Sequence, residues 1–245
     1  RLDVSNFDTS KVTNMESLFD DCESISTLNL KNFDTSQAVD FCSMFSGLKN
    51  VKFLDISHFI TKNVQDMSFM FENCKSLTSV DVSKFDTSSV TNMESMFCET
   101  NLRSLELNNF DTKNVENMMM MFRGNYNLGK LDVSSFDTSK VTDMYSMFDS
   151  NNNIKELNLA KFNTQNVQDM GAMFRGCAKL ISVDLSKFDT SNVEDMFSMF
   201  EGCKSLESLD LSQFRTSKVE DMSSMFLDCN KLSSLNVNNF DVSNV

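Results

Sequence analysis

The sequence predicts an α/β solenoid, a right-handed superhelix of about nine coils, on three observations. First, one phenylalanine recurs every 26 residues, apart from a single step of 25 between Phe85 and Phe110. Second, its neighbours repeat with the same period, as L-x-x-L-D-L-S-x-F-D-T-S-x-V-x-(N/D)-M-x-x-M-F-x-x-C. Third, no segment rich in Pro or Gly interrupts the period. A fixed period of roughly 20–50 residues is typical of solenoids, in which each repeat is one coil packed against its neighbours.

The domain organisation follows from the same period. We expect one repeat solenoid over residues 1–245, because the composition does not change along the chain. Both ends fall inside a repeat and neither carries an atypical capping repeat, so we expect the sequence to be a fragment of a longer protein.

Each coil begins with two apolar residues separated by one polar residue, as in Leu209 and Leu211. Such alternation is typical of a short strand with one buried face, and stacked coils would join these strands into a parallel sheet. The residue between the pair then points to solvent. Its acidic members form a candidate strand-face site: Asp55, Asp81, Glu106, Asp132, Asp184 and Asp210.

The Phe-Asp-Thr segment follows the strand. We expect its phenylalanine to enter the core and its threonine hydroxyl to bond the backbone of a neighbouring coil, since β-branched residues suit a pleated stack. The threonines are Thr9, Thr35, Thr61, Thr87, Thr112, Thr138, Thr164, Thr190 and Thr216.

The coil is predicted to end in a short capped helix. An Asn or Asp, such as Asp66, stands one residue before the first methionine, and these side chains are preferred helix N-caps. The spacing of Met67, Met70 and Phe71 puts three apolar side chains on one helical face. Met and Phe columns this regular predict a packed core and no cofactor.

The run L-x-x-L-D-(L/V)-S-x-F-D-T-S-x-V-x-(N/D)-M-x-x-M-F-x-x-C resembles a known family, the 26-residue bacterial surface-protein repeat. That family is similar to the BspA-like leucine-rich repeats and is common in surface lipoproteins of mycoplasma type. The resemblance covers the whole chain. It implies a leucine-rich-repeat-like solenoid, on a cell surface or secreted, that serves adhesion or recognition and has no catalytic residues. The chain departs from the pattern at Leu18, at Phe41 and at the deletion around Cys98, Glu99 and Thr100.

Five of the seven cysteines share one column, three residues after the helical phenylalanine: Cys22, Cys74, Cys177, Cys203 and Cys229. We expect them to be buried free thiols, with disulfides between neighbouring coils as the alternative. Cys42 and Cys98 lie outside the column and are expected to be the more reactive thiols. No C-x-x-C pair occurs, so no zinc site is predicted.

Charge and motifs argue against several classes of function. The net charge of −13 disfavours nucleic-acid partners and anionic lipid surfaces. The sequence has no signal peptide and no apolar run long enough to span a bilayer, so we expect no membrane insertion by this chain and any anchor to lie outside it. With His58 as the single histidine and no phosphate-binding loop, we expect neither enzymatic activity nor a cofactor.

Two repeated polar columns allow weaker alternatives. The strand-face acids could bind a cation or a basic partner, although solvated faces and turn caps explain them as well. The threonine column could bind ice if its side chains were exposed.

The leading prediction is a surface recognition or adhesion module that binds an extracellular or host protein or glycan. The alternative is a rigid spacer or stalk that presents another domain. Large apolar residues that break the repeat suggest the contact surface. These partner-binding candidates are Met119, Met120, Tyr145, Tyr126, Phe69 and Phe197.

Overall fold

The computed structural model describes residues 2–245 as a stack of coils in which residues one period apart lie side by side. Parallel bridges join each coil to the next, from Asn14↔Asp40 to Asp195↔Asp221. The partners are 26 residues apart except at Asn92↔Asn117, where one repeat is a residue shorter. The stacked-coil arrangement predicted from the period is therefore confirmed.

The strands are shorter and fewer than predicted. β1 (Phe53–Leu54) pairs with β2 (Ser79–Val80), and β3 (Ser208–Asp210) pairs with β4 (Ser234–Asn236), both in parallel. A continuous parallel sheet is thus wrong for residues 2–245. The reason is local, because the chain turns immediately after each strand. After β2, for example, Asp81 Oδ1 accepts the N–H of Ser83 at 3.0 Å.

The predicted capped helices are also wrong, since residues 2–245 contain no helix. The segments concerned form successive turns that stack on one another, and we call this stack the turn ladder. It comprises residues 14–21, 40–47, 66–73, 92–99, 117–124, 143–150, 169–176, 195–202 and 221–228.

The backbone of the turn ladder explains why no helix forms. Ser17 and Asp21 have φ values of 54° and 50°, and the same two positions are left-handed in every coil. An α-helix needs φ near about −63° at every residue. Alternate N–H groups therefore point towards the next coil, as from Met15 to the Asp40 carbonyl at 3.0 Å and from Ser17 to the Cys42 carbonyl at 2.8 Å.

The core confirms the predicted packing of the Phe and Met columns. Met67, Met70 and Phe71 are fully buried, and the same positions are buried in most coils. The second phenylalanine column stacks ring on ring, with centroids 5.5 Å apart at Phe71–Phe97 and 6.1 Å apart at Phe97–Phe122. This phenylalanine ladder consists of Phe19, Phe45, Phe71, Phe97, Phe122, Phe148, Phe174, Phe200 and Phe226.

The threonine column bonds neighbouring coils as predicted. The Thr138 hydroxyl donates to the Asn163 carbonyl at 2.9 Å and accepts the Asn163 N–H at 2.8 Å. All of these threonines are buried. Because ice binding needs exposed threonine ranks, that alternative is wrong.

Candidate recognition surface

The first residue of each turn-ladder segment is an Asn or Asp that caps a turn. Its Oδ1 accepts the backbone N–H two residues later, at 2.8 Å from Asp143 to Tyr145 and at 2.7 Å from Asp169 to Gly171. The side-chain bond that the cap prediction required is thus present, although it closes a turn and not a helix. Stacking places these cap residues in one column.

Four consecutive caps line an open groove of about 490 Å³: Asp143, Asp169, Asp195 and Asp221. Glu194 and Glu220 also line it, and we call it the acidic groove. Burial, with the added charges of Asp143 and Asp195, raises the pKa of Asp169 to about 6. Burial likewise raises the pKa of Asp143. The groove therefore loses negative charge when the pH falls into the mildly acidic range.

An apolar ridge runs beside the acidic groove, two residues after the caps. Met119, Tyr145 and Phe197 form this ridge, and each is half-buried. The other coils carry smaller or charged residues at this position: Glu16, Cys42, Ser68, Glu94, Gly171 and Ser223. Gly171 leaves a gap that Tyr145 covers, because a Cβ on Gly171 would lie 3.2 Å from Tyr145 Cδ2.

Met120 and Phe69 occupy the next column, where the other coils carry Ser or Ala. Both are half-buried, and their φ values of 55° and 56° place them in the left-handed region. The conformation belongs to the fold, since this position is left-handed in every coil, but bulky residues rarely adopt it. Met120 extends the apolar ridge next to Met119.

The structure brings together part of the predicted partner-binding set. Met119, Met120 and Tyr145 lie on adjoining coils, joined by the bond from the Met120 N–H to the Tyr145 carbonyl at 2.8 Å. Phe197 lies two coils beyond Tyr145, and Phe69 lies two coils before Met120. Tyr126 is separate from the ridge, at an exposed corner.

A buried ion pair beneath this surface was missed from the sequence. Asp149 has a fully buried side chain between two arginines, with its Oδ2 2.6 Å from Arg175 Nη2 and 3.2 Å from Arg123 Nε. The three residues lie in one column on consecutive coils. Opposite charges on residues one period apart are the signal in the sequence that would have revealed these ion pairs. Because a buried carboxylate needs oppositely charged partners, these two ion pairs hold the coils of the ridge in register.

The strand-face acids mostly act in turns. Oδ1 of Asp81, Asp132 or Asp184 accepts the N–H of the serine two residues later. Hydrogen bonds from the hydroxyl and from the N–H of that serine lower the pKa of each carboxyl. Asp55 and Asp210 make the same bond, and Glu106 is exposed. Among residues 2–245, no three acidic, His or Cys side chains converge as metal ligands. A role for the strand face in partner binding stays a prediction.

The cysteines are all free thiols. In the column three residues after the ladder phenylalanine, Cys74, Cys177, Cys203 and Cys229 donate to a carbonyl of the preceding coil, as from Cys177 Sγ to the Phe148 carbonyl at 3.2 Å. The expectation that Cys98 is reactive is wrong, because it is buried and burial raises its pKa to about 12. A thiol needs its thiolate form to react. Cys42 is partly exposed and accepts a hydrogen bond from the Ser68 hydroxyl at 3.3 Å, so its reactivity stays a prediction.

Comparison with protein families matches residues 1–100, 77–158 and 143–245 to the family described as "Mycoplasma protein of unknown function, DUF285". These matches together span the whole chain. The chain belongs to the DUF285 family. The mycoplasma-type family expected from the F-D-T-S and M-F-x-x-C boxes is therefore shown, while the BspA-like assignment stays a prediction. None of the curated proteins compared with this DUF285 chain matches it.

Solved structures that are similar to this DUF285 chain include two bacterial leucine-rich proteins. A leucine-rich-repeat protein from Bacteroides ovatus is 14% identical, with a TM-score of 0.52 over 92% of this chain and 64% of that one. A leucine-rich cell surface protein from Faecalibacterium prausnitzii is 17% identical, with a TM-score of 0.44 over 94% and 71% of the two chains. The DUF285 chain thus spans less than two thirds of the Bacteroides protein. The likeness to the Bacteroides protein shows that this chain has a leucine-rich-repeat fold.

Over residues 2–245, no helical segment combines the length and the apolar character needed to cross a bilayer.

Proposed function

We propose that this DUF285 chain is a non-enzymatic recognition or adhesion module, on the cell surface or secreted, that binds an extracellular or host protein or glycan. The observation that carries the proposal is the apolar ridge. Met119, Met120 and Tyr145 replace the small or polar residues that the repeat otherwise has there. In a regular solenoid, stacking does not require such a local departure, since the other coils stack without it.

The chemistry of the surface supports a protein partner with basic side chains. Aromatic residues and methionine are enriched where protein interfaces are best packed. The acidic groove beside the ridge places six carboxylates along four coils. Their charge would speed the approach of a basic partner and help to select it.

The test is binding of the chain to a panel of extracellular-matrix proteins and glycans. A Met119→Ser/Met120→Ser/Tyr145→Ser variant should lose saturable binding with an unchanged melting temperature. Serine is expected to be tolerated, because Ser68 and Ser95 hold these positions in other coils. A Phe53→Ser/Ile60→Ser/Ile181→Ser variant is the matched control, since it removes exposed apolar side chains elsewhere.

The control variant should bind as the unaltered chain does. If the ridge variant still binds its partner, the binding site would be assigned to the strand face instead. Absence of binding by any form of the chain would contradict recognition altogether.

A rigid spacer or stalk is the second candidate, and the phenylalanine ladder favours it. Nine stacked rings continue through successive coils without a break, from Phe19 to Phe226. Close-packed side chains resist bending, as expected of a spacer. Only the spacer predicts that the isolated chain binds nothing.

A further inference from the structure

One corner of the solenoid is a residue shorter than the others. In full-length coils the corner spans three residues and closes with a backbone bond, from Leu77 to the Cys74 carbonyl at 2.9 Å and from Leu128 to the Asn125 carbonyl at 3.1 Å. The equivalent residues Thr100 and Leu102 are only two apart. The deletion removes the residue that would complete this turn, so the surface recedes there.

The coils on either side keep their full length, and a notch of about 220 Å³ remains between them. Lys75 lines it from one neighbouring coil, and Tyr126 and Asn127 line it from the other. Gly124 forms part of the wall with φ of +73°, and a Cβ there would lie 2.9 Å from Glu99 Cγ. A larger residue in place of Gly124 would push Glu99 aside, so the notch depends on this glycine.

The notch combines an aromatic face with hydrogen-bonding groups that have capacity left. Tyr126 is 53% exposed. Asn127 Nδ2 donates to Asn101 Oδ1 at 2.6 Å. Over residues 2–245, the side-chain nitrogen of Asn101 and the side-chain oxygen of Asn127 have no hydrogen-bond partner. Lys75 and Glu99 form an ion pair at 3.0 Å and add a charged donor and acceptor.

We propose that this notch binds a single pyranose ring of a glycan. A pyranose has an apolar C–H face that packs on an aromatic ring, and its hydroxyls each donate and accept hydrogen bonds. An unpaired donor and an unpaired acceptor on neighbouring amides suit two adjacent hydroxyls. Pockets for drug-sized ligands are about 300–1,000 Å³, so a notch of 220 Å³ suits one ring.

The notch proposal rests on the proposed recognition function but uses a different site from the apolar ridge. Tyr126 lies at the corner, whereas Met119, Met120 and Tyr145 lie on the turn ladder. The two sites can therefore be removed separately.

Saturation-transfer NMR with free glucose, galactose, mannose and N-acetylglucosamine tests the notch. We expect saturation transfer to the ring protons of at least one of these sugars. Tyr126→Ser should weaken that binding about tenfold, because it removes the stacking surface. Phe53→Ser is the control, since Phe53 is similarly exposed, lies outside the notch and should have no effect.

A second variant tests the shape of the notch. A serine inserted after Asn101 restores the full-length corner, so it should fill the notch and abolish sugar binding with the melting temperature unchanged. If that variant fails to fold, Tyr126→Ser decides alone.

The outcomes separate the two proposals. Absence of saturation transfer from all four sugars, or equal binding by Tyr126→Ser and the unaltered chain, overturns the notch proposal. The Met119→Ser/Met120→Ser/Tyr145→Ser variant should keep its sugar binding, and loss there would also overturn the assignment to the notch. Protein binding that depends on the ridge would leave the proposed function standing even if no sugar binds.

Discussion

Two aspartates of the acidic groove show how position decides the chemistry of a side chain. Asp169 and Asp221 cap identical turns, with bonds of 2.7 Å to the N–H two residues later. Burial and two flanking aspartates raise the pKa of Asp169 to about 6. Hydrogen bonds from Ser223 lower the pKa of Asp221. The capping aspartate is the same in both coils. The difference comes from burial and flanking aspartates at Asp169, and from the Ser223 side chain at Asp221, where the Asp169 coil has Gly171.

Asp169→Asn should stabilise the chain at neutral pH. The pKa of Asp169 in the fold, about 6, exceeds its ordinary value of 3.8, so folding takes up a proton. The stability of the unaltered chain therefore rises as the pH falls from about 6 towards 4. Asparagine keeps the turn bond, as Asn92 and Asn117 show. We expect a gain of about 1 kcal/mol at pH 7.5, allowing for solvent screening of a half-exposed group, and a smaller gain at pH 4.5.

Thermal unfolding of both proteins at the two pH values measures this effect. Asp221→Asn is the matched control, and it should give no gain at pH 7.5 because the pKa of Asp221 is lowered. Equal gains from Asp169→Asn at both pH values would show that the raised pKa of Asp169 is not the cause of the gain.

At the scale of the element, the turn ladder replaces a helix through its left-handed positions. Four glycines occupy the second of these columns, Gly47, Gly124, Gly176 and Gly202, with φ between 67° and 73°. This column was the available signal, because glycine inside a helix is unfavourable whereas a left-handed position favours it. The apolar spacing of Met67, Met70 and Phe71 wrongly indicated a helix, since an i, i+3, i+4 pattern also fits a chain that turns once per four residues.

The sign of the stability change caused by one substitution distinguishes the turn ladder from a helix. Gly202→Ala should destabilise the chain by about 1 kcal/mol, because alanine is strained in the left-handed region. In a helix, the same change would stabilise by about 1 kcal/mol. The added Cβ would meet Gly176 Cα at 3.5 Å, an ordinary contact, so strain and not a clash sets the result. Urea unfolding measures the difference.

Gly129→Ala provides the control for this change. Gly129 has no left-handed φ, and a Cβ there meets nothing within 4 Å. It should be neutral or stabilise by about 0.5 kcal/mol through a less flexible unfolded chain. Stabilisation by Gly202→Ala would contradict the turn ladder.

At the scale of the whole molecule, each coil contacts its neighbours, and stability is shared along the stack. The phenylalanine ladder, the threonine bonds and the turn ladder all connect one coil to the next. The core is one continuous cluster that extends coil by coil, so the effect of a substitution depends on its place in the stack.

Phe148→Ala should therefore cost more than Phe226→Ala. Phe148 is fully buried, with its ring centroid 5.9 Å from that of Phe122 and 5.8 Å from that of Phe174. We expect a loss of about 3–5 kcal/mol. Phe226 is only partly buried and stacks on Phe200 at 6.0 Å, so its loss should be smaller. Urea unfolding of both variants gives the comparison.

Hydrogen exchange locates the damage from Phe148→Ala. The amides of Phe148 and Phe174, which bond the Met173 and Met199 carbonyls, should exchange faster, while amides several coils away should change less. Uniform loss of protection along the chain would contradict nearest-neighbour stability.

The period of 26 residues was sufficient to establish the stack of coils, the buried columns and the threonine bonds. These features follow from sequence because a residue that recurs every coil must meet its own copies, and Phe, Met and Thr then have few alternatives. The departures at Met119, Met120 and Tyr145 were visible for the same reason. The candidate ridge could thus be proposed from the sequence alone.

Tertiary contacts decided the features of the fold and of the candidate sites that the period does not predict. Hydrogen bonds between coils, which no local pattern reveals, turned the expected helices into the turn ladder and restricted the sheet to β1–β2 and β3–β4. The raised pKa of Asp169, the burial of Asp149 between Arg123 and Arg175, and the notch beside Tyr126 all require residues about 26 positions apart to meet. Periodicity determines which residues meet, whereas backbone direction and burial determine what each contact does.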